Sequence, residues 1–211
     1  MPNRREVVLG GLAGSALAAA PGLLRAAGAA CPADLPAAPC RIVVDERYAA
    51  PRALADAALA RGWAVSAIRG DVTSLWYDDL ALRWRAHPMP IAGMTTVAAL
   101  FCLERLAVDA GLRLNLRIDH RGYRDGRVMH TLAAPPGLLA HRDAQILART
   151  DLAAALPPLL ARATHAPRGL PEERVYAGAP GALALTTGEW LVSWSIGTRA
   201  ARMNTRLESD G

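Results

Sequence analysis

Lysine is missing from this chain, and all 24 basic side chains are arginine. A phosphate-binding P-loop, a Schiff base to a substrate or to pyridoxal phosphate, and a Ser-Lys dyad all need a lysine amine, so these sites are excluded. Beyond the N-terminal segment, the sequence also lacks a Gly-x-Ser-x-Gly elbow, a His-Glu-x-x-His helix and a glycine-rich dinucleotide fingerprint. The chain therefore carries no motif that identifies a reaction.

Aromatic side chains are scarce, with one phenylalanine and four tyrosines in 211 residues. Few rings are available to stack on bases, and the arginines are scattered singly among acidic residues instead of forming a basic stripe. We therefore expect no nucleic-acid partner, although the formal net charge is +5.

Cysteine occurs three times, as Cys31, Cys40 and Cys102, and no two of these have CxxC spacing. In an oxidising compartment, a disulfide would join either Cys40 to Cys102 or Cys31 to Cys40 and leave one thiol over. Cys102 lies in the apolar run 97–106, where a buried and unreactive thiol is the usual role. We therefore expect no catalytic cysteine.

The first 29 residues have the three parts of a bacterial signal peptide. Arg4 and Arg5 form a basic start, an uncharged run rich in Ala, Leu and Gly follows at 7–24, and small residues allow cleavage after Ala29. The mature chain would then begin at residue 30. Two alternatives stay open: the apolar run is kept as a membrane anchor, or the chain is cut before Cys31 as a lipoprotein.

The segment Asn3-Arg4-Arg5-Glu6-Val7-Val8 resembles the twin-arginine (Tat) signal, with Asn3 where Ser or Thr is usual and Val7 where Phe is usual. Four glycines within the apolar run and Arg25 at its end are also similar to a Tat signal. The resemblance implies export through the Tat translocon as a folded protein, often one with a cofactor, to the periplasm or the medium of a bacterium. We expect no stable membrane span after cleavage.

The remaining pattern predicts a single α/β domain at 30–197, with a loose polar tail at 198–211. A strand at 41–44, a helix at 51–61 and a strand at 63–68 form a β-α-β unit, which favours parallel pairing of the two strands. The mixed sheet is completed by antiparallel hairpins at 112–132 and 182–197, with helices packed on it. The predicted helices run from Ser74 to His87, over 97–110 as the central buried helix, and over about 138–156, before a loop at 162–171.

Two histidines lie in the first hairpin, whose register follows from its alternating faces. A three-residue loop Arg124-Asp125-Gly126, with its glycine at positive φ, keeps Ile118 and Leu132 on one face and places His120 opposite His130. Their Cβ atoms are then about 5 Å apart, close enough to share a metal ion or a hydrogen bond. Because a metal site usually needs three or four ligands, two packed histidines that complete an apolar face are the alternative to a metal or catalytic pair.

A second candidate site lies where the two parallel strands end, since open α/β sheets bind ligands beyond the carboxyl ends of their strands. Asp45 and Asp71 follow these strands and would bring two carboxylates to one edge, a geometry suited to a divalent metal or to acid/base catalysis. The alternative is that Asp71 caps the next helix and Asp45 pairs with Arg47 or Arg52.

Two classes of function follow from these features. The first, which we favour, is a non-catalytic ligand-binding protein or an accessory subunit of an exported, cofactor-bearing enzyme. The tryptophans at 76, 84, 190 and 194 would then mark an interface, or they simply pack in the core. The second is a small periplasmic metal-dependent enzyme or hydrolase that uses the strand-end carboxylates, the histidine pair or both.

Overall fold

A computed structural model describes residues 41–136, 138, 145–166, 169–179, 181–183 and 185–198. The strands in this part of the chain are β1 (Arg41–Asp45), β2 (Val65–Ile68), β3 (Ile91–Thr96), β4 (Arg113–Gly122), β5 (Val128–Ala134), β6 (Glu172–Ala177) and β7 (Trp190–Gly197). They form one mixed sheet in the order β2-β1-β3-β7-β4-β5-β6. The signal segment, Cys31, Cys40 and the tail beyond residue 198 lie outside the described residues.

Helices pack on both faces of this sheet, which confirms the predicted α/β fold. They are α1 (Ala49–Leu59), α2 (Thr73–Leu75), a π-helical turn (Trp76–Leu80), α3 (Ala81–Ala86), α4 (Val97–Asp109) and α5 (Leu152–Ala163). α1 and α5 cover one face and enclose a first core cluster, whereas α3 and α4 contribute to a second core cluster on the other face. Within the described residues, every helix falls short of the length and hydrophobicity that a membrane crossing needs.

The β-α-β unit is confirmed, because β1 and β2 are parallel neighbours joined through α1. β1 also pairs in parallel with β3 on its other side. This central position buries the β-branched run Ile42-Val43-Val44 from both faces, as is usual for a parallel strand covered by helices. β3 is not among the predicted strands, since a short apolar run directly before a helix cap has no periodicity that separates a strand from the start of the helix.

The predicted hairpin at 182–197 is wrong, because within the described part of that range only β7 is a strand. β7 does alternate as expected, and Val192, Trp194 and Ile196 belong to the second core cluster. Its neighbours are β3 and β4, both antiparallel to it and both distant in sequence. Alternation identified the strand, but pairing with distant strands decided its place in the sheet.

β6 lies outside the predicted strands as well. It is an edge strand whose sequence, Glu-Glu-Arg-Val-Tyr-Ala, is almost entirely exposed, so it shows no alternation of apolar and polar residues. Its pairing with β5 extends the sheet by one strand beyond the hairpin.

Three helices differ from their predictions. Ser74 is not the cap of the first, which begins at Thr73 after the N-cap residue Val72 and is interrupted by the π-helical turn. α5 begins and ends later than the predicted helix at 138–156, of which residues 139–144 lie outside the described residues, and Pro157 and Pro158 are inside it. Burial of its apolar face compensates for the lost backbone donors, since most helical stability comes from tertiary packing. This face includes four fully buried leucines, Leu152, Leu156, Leu159 and Leu160.

α4 is not a central helix buried all round. The sequence allowed either Thr95 or Thr96 as its cap. Thr96 is the cap, since it accepts a hydrogen bond from the Ala99 backbone N–H, and one side of the helix packs on the sheet. Phe101 and Val108 are 62% and 54% exposed, because the helix has a sheet on one side only in the described structure. Cys102 is an exposed free thiol on this helix, so its predicted burial is wrong.

Candidate functional site

The hairpin of β4 and β5 has the predicted register. His120 is paired with His130 and Ile118 with Leu132. The Tyr123 N–H donates to the Arg127 carbonyl at 2.9 Å, which closes a three-residue loop, and Gly126 has the expected positive φ of 75°. The local pattern of faces was therefore sufficient to place the two histidines opposite each other.

The two imidazoles are in direct contact. Their Nδ1 atoms are 2.7 Å apart, and the rings meet edge to face with centroids 4.8 Å apart. Both side chains are fully buried, on the face of the sheet that carries the first core cluster. The histidines are therefore core residues, as in the packed alternative that the sequence also allowed.

A serine on the neighbouring strand extends the pair. His120 Nε2 lies 2.8 Å from Ser193 Oγ, and Ser193 is itself fully buried. The result is a hydrogen-bonded chain Ser193–His120–His130, which we call the buried triad. Sequence analysis missed the serine because β7 becomes the neighbour of β4 only in the folded sheet. The available signal was a serine on the inward face of an otherwise apolar strand.

Whichever histidine donates the shared hydrogen bond, one atom of the buried triad has no hydrogen-bond partner among the described residues. If His120 Nδ1–H donates to His130, then His120 Nε2 accepts from the serine hydroxyl and His130 carries its proton on Nε2. If His130 donates instead, its Nε2 is a bare acceptor and His120 Nε2–H points to the serine. In both cases His130 Nε2 has no hydrogen-bond partner among the described residues.

The segment after β6 covers this nitrogen. A Cβ atom at Gly178 would overlap His130 Nε2, so only glycine fits at this position without a shift. The Gly178 N–H donates to the Val128 carbonyl at 2.8 Å, which fixes the backbone there. The unpartnered nitrogen thus faces backbone at close range.

Burial lowers the pKa of both imidazoles. Desolvation lowers the pKa of His120 well below 6.5, and proximity of His130 adds to this effect. Desolvation lowers the pKa of His130 to about 4. Both rings are therefore neutral near pH 7, which is the state that the shared Nδ1 hydrogen bond requires.

The 2.7 Å between the two Nδ1 atoms is the length of a hydrogen bond and is too short for two nitrogens that bind the same metal ion. Two nitrogens that each bind zinc at about 2.0–2.1 Å with tetrahedral geometry are more than about 3 Å apart. Among the described residues, no group of three or more His, Cys, Asp or Glu side chains could hold a metal ion. The order serine, histidine, second polar group is that of a hydrolase triad, but the hydroxyl is enclosed by the core.

The strand-end carboxylates have separate partners. Asp45 is fully buried at the end of β1, and Arg47 donates to both of its oxygens, at 2.9 Å to Oδ1 and 2.7 Å to Oδ2. Asp71 is exposed and accepts hydrogen bonds from the Thr73 N–H at 2.9 Å and the Thr73 hydroxyl at 2.7 Å. The latter bonds lower the pKa of Asp71. These contacts are an ion pair and a cap on the turn that leads into α2, whose N-cap residue is Val72. They are the alternative that the sequence also allowed.

Trp190 is the exposed member of the four predicted tryptophans. Trp84 and Trp194 are buried, and Trp76 packs edge-on against Trp84. Trp190 is 40% exposed, although its indole N–H donates to Asp119 at 2.7 Å. It combines exposure with a fixed orientation, as is common for aromatic anchors at interfaces.

Charged neighbours hold that indole in place. Arg117 donates two hydrogen bonds of 2.8 Å to the Asp119 carboxylate, and the Arg121 guanidinium lies 4.1 Å from the centroid of the Trp190 ring. The tryptophan is thus part of a preformed polar network on strands rather than on a loop.

No protein-family model matches the chain, and neither a curated protein nor a solved structure is significantly similar to it.

Proposed function

We propose that this chain is a non-catalytic accessory protein that is exported through the Tat route after folding. In this role it would serve another exported protein, and any cofactor or divalent metal would be bound by that partner. The observation that carries the proposal is the enclosure of the buried triad. Its serine and both histidines have no exposed surface, and they are hydrogen-bonded to each other.

The other candidate catalytic groups support the same proposal. Asp45 is engaged by Arg47, and Asp71 caps the start of α2. A catalytic acid or base needs a free lone pair or proton within reach of the substrate, about 2.6–3.2 Å away. Asp45 does not offer this without first losing Arg47, and the Oδ1 atom of Asp71 is already bonded twice to Thr73.

Export in the folded state is compatible with this architecture. The Tat resemblance is carried by Arg4 and Arg5, which lie outside the described residues. A sheet with two core clusters is a fold that can reach a stable state before translocation. Export through the Tat route places the protein in the periplasm or outside the cell.

A hydrolase is the second candidate, because the Ser193 Oγ to His120 Nε2 distance of 2.8 Å is that of an activated nucleophile. In such an enzyme, the serine oxygen would attack an acyl carbonyl and its proton would pass to His120 Nε2. His130 Nδ1 would accept the hydrogen bond from His120 Nδ1–H and orient the ring. This role requires the residues that enclose Ser193 to move away, so that a substrate can reach its hydroxyl.

An active-site serine probe separates the two candidates. Purified mature protein is treated with a fluorophosphonate, and its metal content is measured in the same preparation. We expect no labelling and no stoichiometric metal. Labelling of the wild type that is lost in Ser193→Ala and in His120→Ala would identify the hydrolase, and stoichiometric zinc, copper or iron would identify a metalloenzyme. Ser195→Ala is a matched control, since this serine is equally buried on the same strand but has no contact with the histidines.

A further inference from the structure

In the described part of the chain, one region of the sheet has a core on one side only. In the hairpin, alternate residues such as Ile118, His130 and Leu132 are buried, and the residues between them are half-buried or exposed. β6 is exposed except for the half-buried Tyr176. The second core cluster includes side chains of β1, β3 and β7 but, within the described chain, none of β5 or β6. We call the uncovered residues the open face: Arg117, Asp119 and Arg121 on β4, Met129, Thr131 and Ala133 on β5, and Glu173, Val175 and Ala177 on β6.

We propose that the open face is the interface between two copies of this chain. The first argument is its exposed apolar surface. Val175 is 64% exposed near the centre of β6, and the fixed indole of Trp190 borders the face on β7. Antiparallel sheets often leave one face in water, but that face is then polar. Here methionine, valine and two alanines lie among the polar residues of the open face.

The second argument is the shape of the molecule beside the open face. Val97, Phe101, Glu104 and Val108 recur at helical spacing and so share one flank of α4. α4 packs on this face of the sheet, because Leu100 and Leu103 share the second core cluster with Trp194, whose partner on β4 is Arg117. A helix is about 10 Å thick, so α4 rises about 10 Å above the neighbouring open face. Two sheets also stack about 10 Å apart, so a second sheet on the open face would lie beside α4 and cover Phe101.

The third argument is charge. The open face carries two arginines, Arg117 and Arg121, and two carboxylates, Asp119 and Glu173. A balanced face of this kind is complementary to itself in a two-fold dimer, in which each patch meets its own copy. It has no excess charge that would select an acidic or a basic partner of another kind.

The register of the sheet specifies the arrangement. A two-fold axis parallel to the strands, above β5, stacks β4 on β6 of the other copy and keeps each row of residues aligned. Arg117 and Glu173 occupy the same row on β4 and β6, paired through Ala133 between them. Arg117 of each copy would therefore lie opposite the partner's Glu173, twice per dimer. Thr131, in the middle row on β5, would lie at the axis.

The size of the face sets the expected affinity. Three strands at a spacing of about 4.8 Å, each contributing about six residues of about 3.3 Å, cover roughly 14 by 20 Å. This is less than the accessible surface of about 800 Å² per partner that is typical of stable complexes, even when the flank of α4 is added. We therefore expect a reversible dimer with a dissociation constant in the micromolar range.

Sedimentation equilibrium of the purified mature protein tests the proposal, at concentrations from about 1 to about 500 µM. We expect the wild type to pass from monomer to dimer in this range. Glu173→Arg should weaken the dimer at least about tenfold, because two arginines would then face each other at both ends of the interface. Thr131→Arg should abolish it by placing a long charged side chain at the two-fold axis.

Glu172→Arg is the matched control. Glu172 lies next to Glu173 on the edge strand and is similarly exposed, but it belongs to the alternate row and so points away from the open face. The control should dimerise as the wild type does, and all three variants should melt within a few degrees of it at low concentration. A wild type that stays monomeric over the whole concentration range overturns the proposal. A dimer that tolerates Glu173→Arg and Thr131→Arg shows that another surface is responsible.

Discussion

Acid should destabilise this protein through its buried histidine pair, and the loss should begin above the pH at which most carboxylates become protonated. The folded-state pKa of His130 is about 4, and its ordinary value is 6.5. Between these pH values the His130 imidazole is protonated in the unfolded chain but not in the folded chain. The free energy of unfolding therefore falls as the pH decreases from about 6.5 toward about 4. His120 acts in the same direction, because burial lowers its pKa as well.

The size of the effect follows from the shift. A displacement of about 2.5 units in the pKa of His130 corresponds to about 3 kcal/mol of unfolding free energy over the whole window. This is a large part of the 5–15 kcal/mol or so that stabilises a typical protein. Most of the loss should be present by about pH 4.5, since the range from about 6.5 to about 4.5 covers most of the interval between the two pKa values of His130.

Urea unfolding followed by tryptophan fluorescence at several values between about pH 7.5 and about pH 4.5 measures this loss. A variant with His120→Leu and His130→Leu should have a nearly flat profile, since leucines of similar volume need no proton. His87→Leu is the control for the loss of a histidine, because His87 is exposed and lies outside both core clusters. If the double variant fails to fold, NMR titration of the wild type should find two imidazoles with a pKa below about 5.

A wild type whose stability declines no more than that of the double variant would refute the assignment of a neutral, buried pair. An NMR pKa near 6.5 for either histidine would do the same, because it would require solvent at a ring that the structure encloses.

Three further predictions concern single positions. Gly178→Ala should destabilise the protein by about 1–3 kcal/mol in denaturant unfolding, since the new methyl group must displace the ring of His130. Asp71→Asn should lower the stability only slightly and leave metal content unchanged, because its carboxylate is exposed and caps the turn into α2; loss of a bound metal would instead reveal a site. Changing Arg4 and Arg5 to lysine should retain the precursor in the cytoplasm on cell fractionation, and normal export of that variant would indicate the general secretory route.

Local rules predicted the parts of this fold that depend on neighbours in sequence. The alternation of β4 and β5, together with Gly126 in the loop, was enough to place His120 opposite His130. The order strand, helix, strand was enough for the parallel pair β1 and β2. The capping side chain of Thr96 was likewise predictable, since a threonine before an apolar run commonly begins a helix.

The failures share one physical cause, which is that pairing and burial depend on distant segments. β7 was predicted to form a hairpin with the residues just before it, but it pairs with β3 and β4. β3 and β6 were not predicted, the first because its apolar run is short and the second because its side chains are exposed. Phe101 and Cys102 were predicted to be buried because α4 is apolar, yet a helix on one layer of sheet has only one side to bury.

The sequence by itself determined which groups could meet at the candidate site, and the tertiary structure decided what those groups can do. A strand period of two residues fixes the register of a hairpin wherever one face is buried, so the contact between His120 and His130 is a local consequence of the sequence. Ser193 joins them only because β7 is inserted beside β4, and solvent is excluded only because distant segments cover that face. Burial sets the pKa values, and burial is a property of the whole fold, which is why the neutral, enclosed state of the histidines was beyond sequence analysis.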